Sequence, residues 1–449
     1  MRAPRLAALL FTAILAATQA CAWGEHTLTT YRAFEKMPEV VGASPVVAES
    51  LESFLRSEEN TLEALLASQE AWGRANLEKY AARPAALAFL ADPARSDEAR
   101  RLAFISALRL APNSKFALYY QPDPWNPPSV SNALSHSAVS TQPDPGASPT
   151  KFMALKAGDL VSALTVLASA TDEPDYGFDI DLWEDSPSEW GKRYGFGAQP
   201  FGANGTAYGS QAPFHMGFMH ESRMLYLSAP AIKRSYPLLR SHQFYTLSAL
   251  AFRTGHAYWG WRFAGLSLHY LQELTLPYQS KLAPGEHFAK VLTAQALAMT
   301  GFSGVKDELM HLQSNRQLVL QKFQTELLQQ NAQSRQEGPL ESALRHIDKD
   351  RSYPEWSDRY LRDVVSAQAC HAAAALSQTM IATLPAQYVS DTTFDFGAKE
   401  ASINLLGELS KRDAADRAKL EIAVAELMGN LGAHSRNALR GILKASSPP

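Results

Sequence analysis

The sequence predicts an all-α fold: a multi-helix core with long ordered loops and a helical C-terminal extension. Three observations carry that prediction. Apolar residues recur at three- and four-residue spacing over long stretches. No stretch sustains the period-two alternation of strands, and prolines such as Pro84, Pro93, Pro112 and Pro277 separate the periodic runs. Composition agrees, since 46% hydrophobic residues supply a sizeable core and 19% charged residues are too few for a disordered chain.

Arg2 and Arg5 precede an apolar run from Leu6 to Ala17, followed by Ala20-Cys21-Ala22. A basic start, a short apolar stretch and small residues before a cut read as a secretory signal peptide over residues 1–22, so the chain is expected to be exported. Cleavage after Ala22 would make Trp23 the new N-terminus and leave Cys370 as the one thiol, expected as a small buried hydrophobe. No later stretch is apolar and long enough to span a bilayer.

Residues 49–74 carry Leu51, Phe54, Leu55, Leu62, Leu65 and Leu66 on a helical stripe, and 98–110 repeats the pattern. Residues 121–150 are rich in Pro and Ser and read as a surface loop. A helix is expected over 156–170, ending in the acidic loop Thr171-Asp172-Glu173-Pro174-Asp175. Residues 176–214 are aromatic and Gly-rich without a helical period, which predicts ordered loops. One long helix or two should cover 240–274, with further helices over 305–331, 357–384 and 399–445. The last, with alternating charges among Leu and Ala, reads as a solvated amphipathic helix or helical pair. Residues 23–330 then form the main domain and 331–449 an extension packed on it.

Seven of the twelve histidines fall between His215 and His311. Imidazoles gathered near carboxylates suit a zinc site, where nitrogen and carboxylate oxygen are the usual donors. The sharpest pair is His269 and Glu273, whose i, i+4 spacing puts both on one helix face.

These residues resemble the superfamily of zinc-dependent bacterial phospholipases C and fungal single-strand nucleases. Gly265-Leu266-Ser267-Leu268-His269-Tyr270-Leu271 is similar to the family's central helix motif, and Pro277 falls where the family has Pro. Trp23-Gly24-Glu25-His26 resembles the family's mature N-terminus, whose Trp amine and carbonyl bind metal. The resemblance implies a helical zinc enzyme. It implies one ion held by Asp175, His215, His269 and Glu273, with Asp172 and Asp179 in reserve for the Asp and His220 as the alternative to His215. A second ion would be held by Trp23, His26 and a bridging Glu273. Asp175 would also orient the attacking water. The chain departs from the family where Gln279, Gln317 and Gln321 stand at third-site ligand positions, so one or two zinc ions are expected instead of three. Glutamine is a neutral, poor zinc ligand.

The implied activity is hydrolysis of a phosphodiester, most simply a phospholipid head group, with a peripheral membrane contact and with Tyr176, Trp183, Trp190, Tyr194 and Phe196 gripping the substrate. A nuclease is the other enzymatic option, and a non-catalytic lipid- or partner-binding envelope protein is the alternative. The formal charge of −3 disfavours duplex nucleic acid as partner. P-loop and G-x-S-x-G motifs are absent from the sequence.

Overall fold

A helical hairpin organises the structure. Helices Pro237–Arg253 and Ala257–Thr275 run antiparallel, their pairing fixed by Ser241 Oγ against Ser267 Oγ (3.2 Å) and by Ser248 Oγ donating to Gly260 O (2.6 Å). The expected 240–274 helix is therefore two, broken at Gly255, whose φ of 87° lies in the left-handed region that glycine tolerates best. This computed structural model describes residues 25–128, 132–144, 151–203 and 206–447. The expected signal segment and Trp23 lie outside the described residues.

The second helix of the hairpin, the central helix, is buried from Tyr258 to Thr275 on every side. A helix buried all round needs cover from several directions, and three further helices supply it. Ala163–Ala170, capped by Ser162 Oγ accepting from Thr165 N, crosses close at Gly265. A Cβ there would meet Leu167 O at 2.4 Å, so only glycine allows the approach. His26–Phe34 packs on that helix and on Ala414–Ser446, which in turn packs on both arms of the hairpin.

The C-terminal helix corrects the sequence reading. It is not solvated: residues 427–439 are buried without interruption. Gly432 admits neighbouring backbone, since a Cβ there would meet Leu344 O at 2.7 Å, and Arg436 is neutralised inside by Asp350 (Nε to Oδ1 and Oδ2, both 2.9 Å). One hydrophobic core runs from Leu28 through the central helix to Ile442.

The remaining elements are all helical apart from two small antiparallel sheets among the described residues. Val46–Val47 pairs with Leu160–Val161, and Phe152–Ala154 lies between Tyr119–Tyr120 and Ala133–Leu134. Strands of two or three residues are too short to show an alternation in sequence. The aromatic stretch 176–214 is loop interrupted by short helices at Glu189–Tyr194 and Ala207–His215. No described helix is long and apolar enough to cross a membrane.

A candidate metal centre

The central helix presents His269 and Glu273 one turn apart, as their spacing requires, and three other elements bring partners to them. A short 3-10 turn, Glu173–Tyr176, carries Asp175; it is pinned by the buried Arg262–Glu173 ion pair (Nε to Oε2 3.0 Å). The helix ending at His215 delivers that ring, and the helix beginning at His26 delivers another. All five side chains are buried.

Their near atoms converge. His215 Nδ1 lies 3.3 Å from Glu273 Oε1, 3.2 Å from His269 Nε2 and 3.8 Å from Asp175 Oδ1. His269 Nε2 lies 3.5 Å from Glu273 Oε1 and 3.8 Å from Asp175 Oδ1. Zinc bonds of about 2.0–2.2 Å give tetrahedron edges of roughly 3.3–3.6 Å, so these separations suit one ion among the four atoms. From the other side, His26 Nε2 lies 3.5 Å from Glu273 Oε1. Ligand atoms of His26, Asp175, His269 and Glu273 all fall within 4.8 Å of one another, and this buried cluster can hold a metal ion.

The far nitrogens explain which lone pairs point inward. His269 Nδ1 donates to the carbonyl of Thr171 (2.7 Å). His26 Nδ1 donates to Gln272 Oε1 (2.8 Å), which must be the acceptor because Gln272 Nε2 donates to Thr30 Oγ1. His215 Nε2 faces Asp179 Oδ2 at 3.5 Å. Asp179 is itself held by Arg240 (Nε to Oδ1 2.8 Å) and by the Tyr270 hydroxyl donating to Oδ2 (2.7 Å). The outer nitrogens of His269 and His26 are thus hydrogen-bonded, and that of His215 faces the Asp179 carboxylate without a hydrogen bond, so the inner nitrogens are the ones free to face an ion. Metal-binding histidines are oriented in this way. His26 Nε2 is buried and has no hydrogen-bond partner, an expensive state unless a cation or proton occupies the space before it.

The electrostatics are those of a cluster built around positive charge. Burial opposes protonation of His26 and His215, but Glu273 lies beside both rings and Asp179 beside the second, raising them to about 9 and about 10. His269, more deeply desolvated and facing the other two rings, is held well below the usual imidazole range. Glu273 is pushed up by burial but drawn down further by His215 and His26.

Of the residues predicted from sequence, the structure brings together His26, Asp175, His215, His269 and Glu273. His220 stands apart, its Nε2 bonded to the carbonyl of Arg362 (2.8 Å). Asp172 caps the start of the His26 helix instead, accepting from Thr27 N (3.2 Å) and from Gln121 Nε2 (3.1 Å). Asp179 serves His215 from behind. Gln279 is buried beside the centre and donates to Glu273 Oε2 (3.0 Å). Gln317 and Gln321 are buried on the Gly304–Ser334 helix, between Gln313, which bonds Tyr278 O, and Gln324, which bonds Thr29 Oγ1. These three amides add polar atoms and no charge.

Three of the five aromatics expected to grip a substrate are turned inward. Trp183, Tyr194 and Phe196 are buried in a satellite core with Phe214 and Tyr236 and cannot reach a ligand. Tyr176 packs on Phe152 and His136. Aromatic loop residues without a period simply close a second core. Cys370 is half-buried rather than fully buried.

Sequence reasoning missed Gln272, Thr171 and Arg240 as holders of the ligands. Gln272 carried one signal, a polar residue in an apolar helix directly before Glu273. A pocket of about 230 Å³ is lined by Glu25, Thr27, Gln121 and Gln329, among others, and by none of the five clustered side chains. Glu25, at its wall, is raised to about 7 by burial and by the neighbouring Asp172. No protein-family model matches the chain, and neither a curated protein nor a solved structure matches it.

Proposed function

We propose that the chain is an exported, zinc-dependent phosphodiester hydrolase acting on a phospholipid head group. The observation that carries this reading is the convergence of inner imidazole nitrogens on Glu273 and Asp175, with the outer nitrogens of His26 and His269 hydrogen-bonded to acceptors. Nitrogen and carboxylate donors in this mixture suit zinc better than magnesium or calcium, which favour oxygen alone. Held by His26, Asp175, His215, His269 and Glu273, such an ion would supply Lewis-acid polarisation of a phosphoryl oxygen and a water acidic enough to act near neutral pH.

The chain's own groups divide the remaining work. Asp175 is the most exposed of the five, at 7%, and orients the attacking water and accepts its proton. Glu273 and His269, fully buried on the central helix, hold position. His26 closes the cluster from the N-terminal helix, its Nε2 3.5 Å from Glu273 Oε1.

A second reading is favoured by the depth of the cluster and by the amides at 279, 317 and 321. In it the metal ties the N-terminal helix to the central helix, and the protein is a non-catalytic binding protein. One set of measurements separates the two. Metal analysis of the purified chain should give bound zinc, lost in His269→Ala. Turnover of a chromogenic phosphodiester should accompany the bound zinc and vanish with it in His269→Ala. Zinc bound with no turnover supports the second reading, and no metal after zinc supplementation would sink both.

A further inference from the structure

A hydroxyl carries one hydrogen, so a chain of hydroxyls has a direction. Behind the metal centre such a chain runs through Thr171, Thr30 and Gln272 to His26, all of them buried, and a backbone carbonyl fixes its direction at one end. Ala168 lies in the last turn of the helix Ala163–Ala170, where carbonyls have no partner within the helix. Thr171 Oγ1 donates to Ala168 O (2.6 Å). Its one hydrogen is then spent, so toward Thr30 Oγ1 (3.2 Å) it can only accept. Thr30 has spent its hydrogen in turn, and the amide nitrogen of Gln272 supplies the next one (3.0 Å). The same Nε2 lies 3.4 Å from Ser435 Oγ on the C-terminal helix. With its nitrogen turned to these hydroxyls, Gln272 presents its oxygen to His26, and Nδ1 of that ring must donate to it (2.8 Å). What remains on a neutral His26 is the Nε2 lone pair, 3.5 Å from Glu273 Oε1.

The second ring is set from the same residue. The backbone carbonyl of Thr171 accepts from His269 Nδ1 (2.7 Å), which leaves His269 Nε2 as the inward atom. A carbonyl has no hydrogen to give, so it admits only the tautomer with hydrogen on Nδ1.

We propose that Thr171 is the positioning residue that fixes the tautomers of both rings, His269 directly through its carbonyl and His26 through Thr30 and Gln272. Neither neutral ring can then turn an N–H toward the interior of the cluster, and an entering ion meets two lone pairs. Thr171→Val separates the two routes. It keeps the side-chain shape and the backbone carbonyl and removes only the hydroxyl. The Thr30 hydrogen loses its acceptor and is free to turn to Gln272 Oε1, where it competes with His26, while His269 keeps its own partner. The inference rests on the metal reading of the cluster and is independent of hydrolysis.

The test compares the zinc-loaded wild type, Thr171→Val and Thr171→Ser by nitrogen NMR of labelled histidine, with zinc affinity from competitive chelator titration. In the wild type both rings should carry hydrogen on Nδ1 and zinc on Nε2. In Thr171→Val that pattern should be lost at His26 and kept at His269, and zinc affinity should fall about tenfold, the lower end of what loss of an outer partner costs. Thr171→Ser should restore both readings. Thr30→Val cuts the same chain one link further on and should give the same selective result, which keeps the test open if one variant fails to fold. An unchanged His26 in the valine variants overturns the proposal, as does disturbance of both rings together or a serine variant that restores nothing. A wild type that takes up no zinc overturns the centre and this inference together, whereas zinc bound as expected without turnover removes only the hydrolase.

Discussion

Asp179→Asn tests whether the ligands are positioned from behind as the geometry indicates. Asp179 is not among the converging atoms, yet it faces His215 Nε2 at 3.5 Å while Arg240 and Tyr270 fix both of its oxygens. The substitution has two separable consequences. It leaves the fully buried Arg240 guanidinium without its counter-charge, which costs about 3–5 kcal/mol. Unfolding entropy of about 2.1 cal/mol/K per residue over 449 residues is about 0.9 kcal/mol/K, so the melting temperature should fall by about 3–5 °C. It also removes the acceptor that keeps the His215 Nδ1 lone pair facing inward, and loss of such a partner typically weakens metal affinity about 10–100-fold. Asp350→Asn is the control. It breaks a similarly buried pair with Arg436 on the C-terminal helix, and should cost comparable stability with zinc affinity unchanged. Competitive chelator titration measures affinity and calorimetry the melting temperature. Zinc affinity that is equal in the two variants would refute the positioning argument, whatever the melting temperatures show.

Three further outcomes follow from single contacts. Burial draws His434 down to about 3 and His242, stacked on Trp72 at 3.9 Å, down to about 4, so both are neutral in the folded chain. As pH falls through 6.5 the unfolded chain takes up these protons and the folded chain does not. The stability they contribute is therefore complete above about pH 6.5 and shrinks below it, by about 2 kcal/mol each at pH 5; urea unfolding at pH 7 and pH 5 measures it, and the difference should be about 2 kcal/mol smaller in His434→Gln. Gly265→Ala should destabilise by about 1–3 kcal/mol, since its Cβ would sit 2.4 Å from Leu167 O, and thermal unfolding reads the loss. Gln279→Leu removes the donor to Glu273 Oε2 and should cost about 1–3 kcal/mol in denaturant unfolding while leaving the metal content unchanged.

What the sequence reveals follows from which interactions are local. Helix existence was legible because apolar spacing is a local property, and His269 with Glu273 was legible because i, i+4 spacing fixes a shared face. The C-terminal helix was misread for the same reason: a helix buried on all sides, with Asn430, His434 and Arg436 paired inside, has a polar pattern that mimics a solvated one. Which aromatics of 176–214 face a ligand and which close a core is not legible, because loop residues carry no period to say which way they face. The choice between His215 and His220 depended on whether the chain turns after Phe214, which only packing decides. The outer acceptors Thr171, Gln272 and Asp179 come from three elements, and nothing in their local sequence marks them.

Electroneutrality sets how many ions the centre holds. Buried charge is tolerated only when paired, and Asp179 is already balanced by Arg240, as Glu173 is by Arg262. That leaves Asp175 and Glu273 as the two carboxylates of the cluster to be balanced. In the absence of a cation, protons on His26 and His215 do so, which is why both rings are raised. One divalent ion supplies the same charge and replaces those two protons, so the folded chain meets no electrostatic penalty on binding it. A second divalent ion would leave two uncompensated positive charges, because Gln279, Gln317 and Gln321 are neutral. Beside His26, burial and then the neighbouring Asp172 raise Glu25 to about 7, so at neutral pH it is about half protonated and this side carries less than the two negative charges a second ion needs. Elemental analysis should therefore give one zinc per chain. In Glu25→Gln that value should hold; a wild-type value of two that drops to one in this variant would show that Glu25 belongs to the centre and that the charge count is wrong.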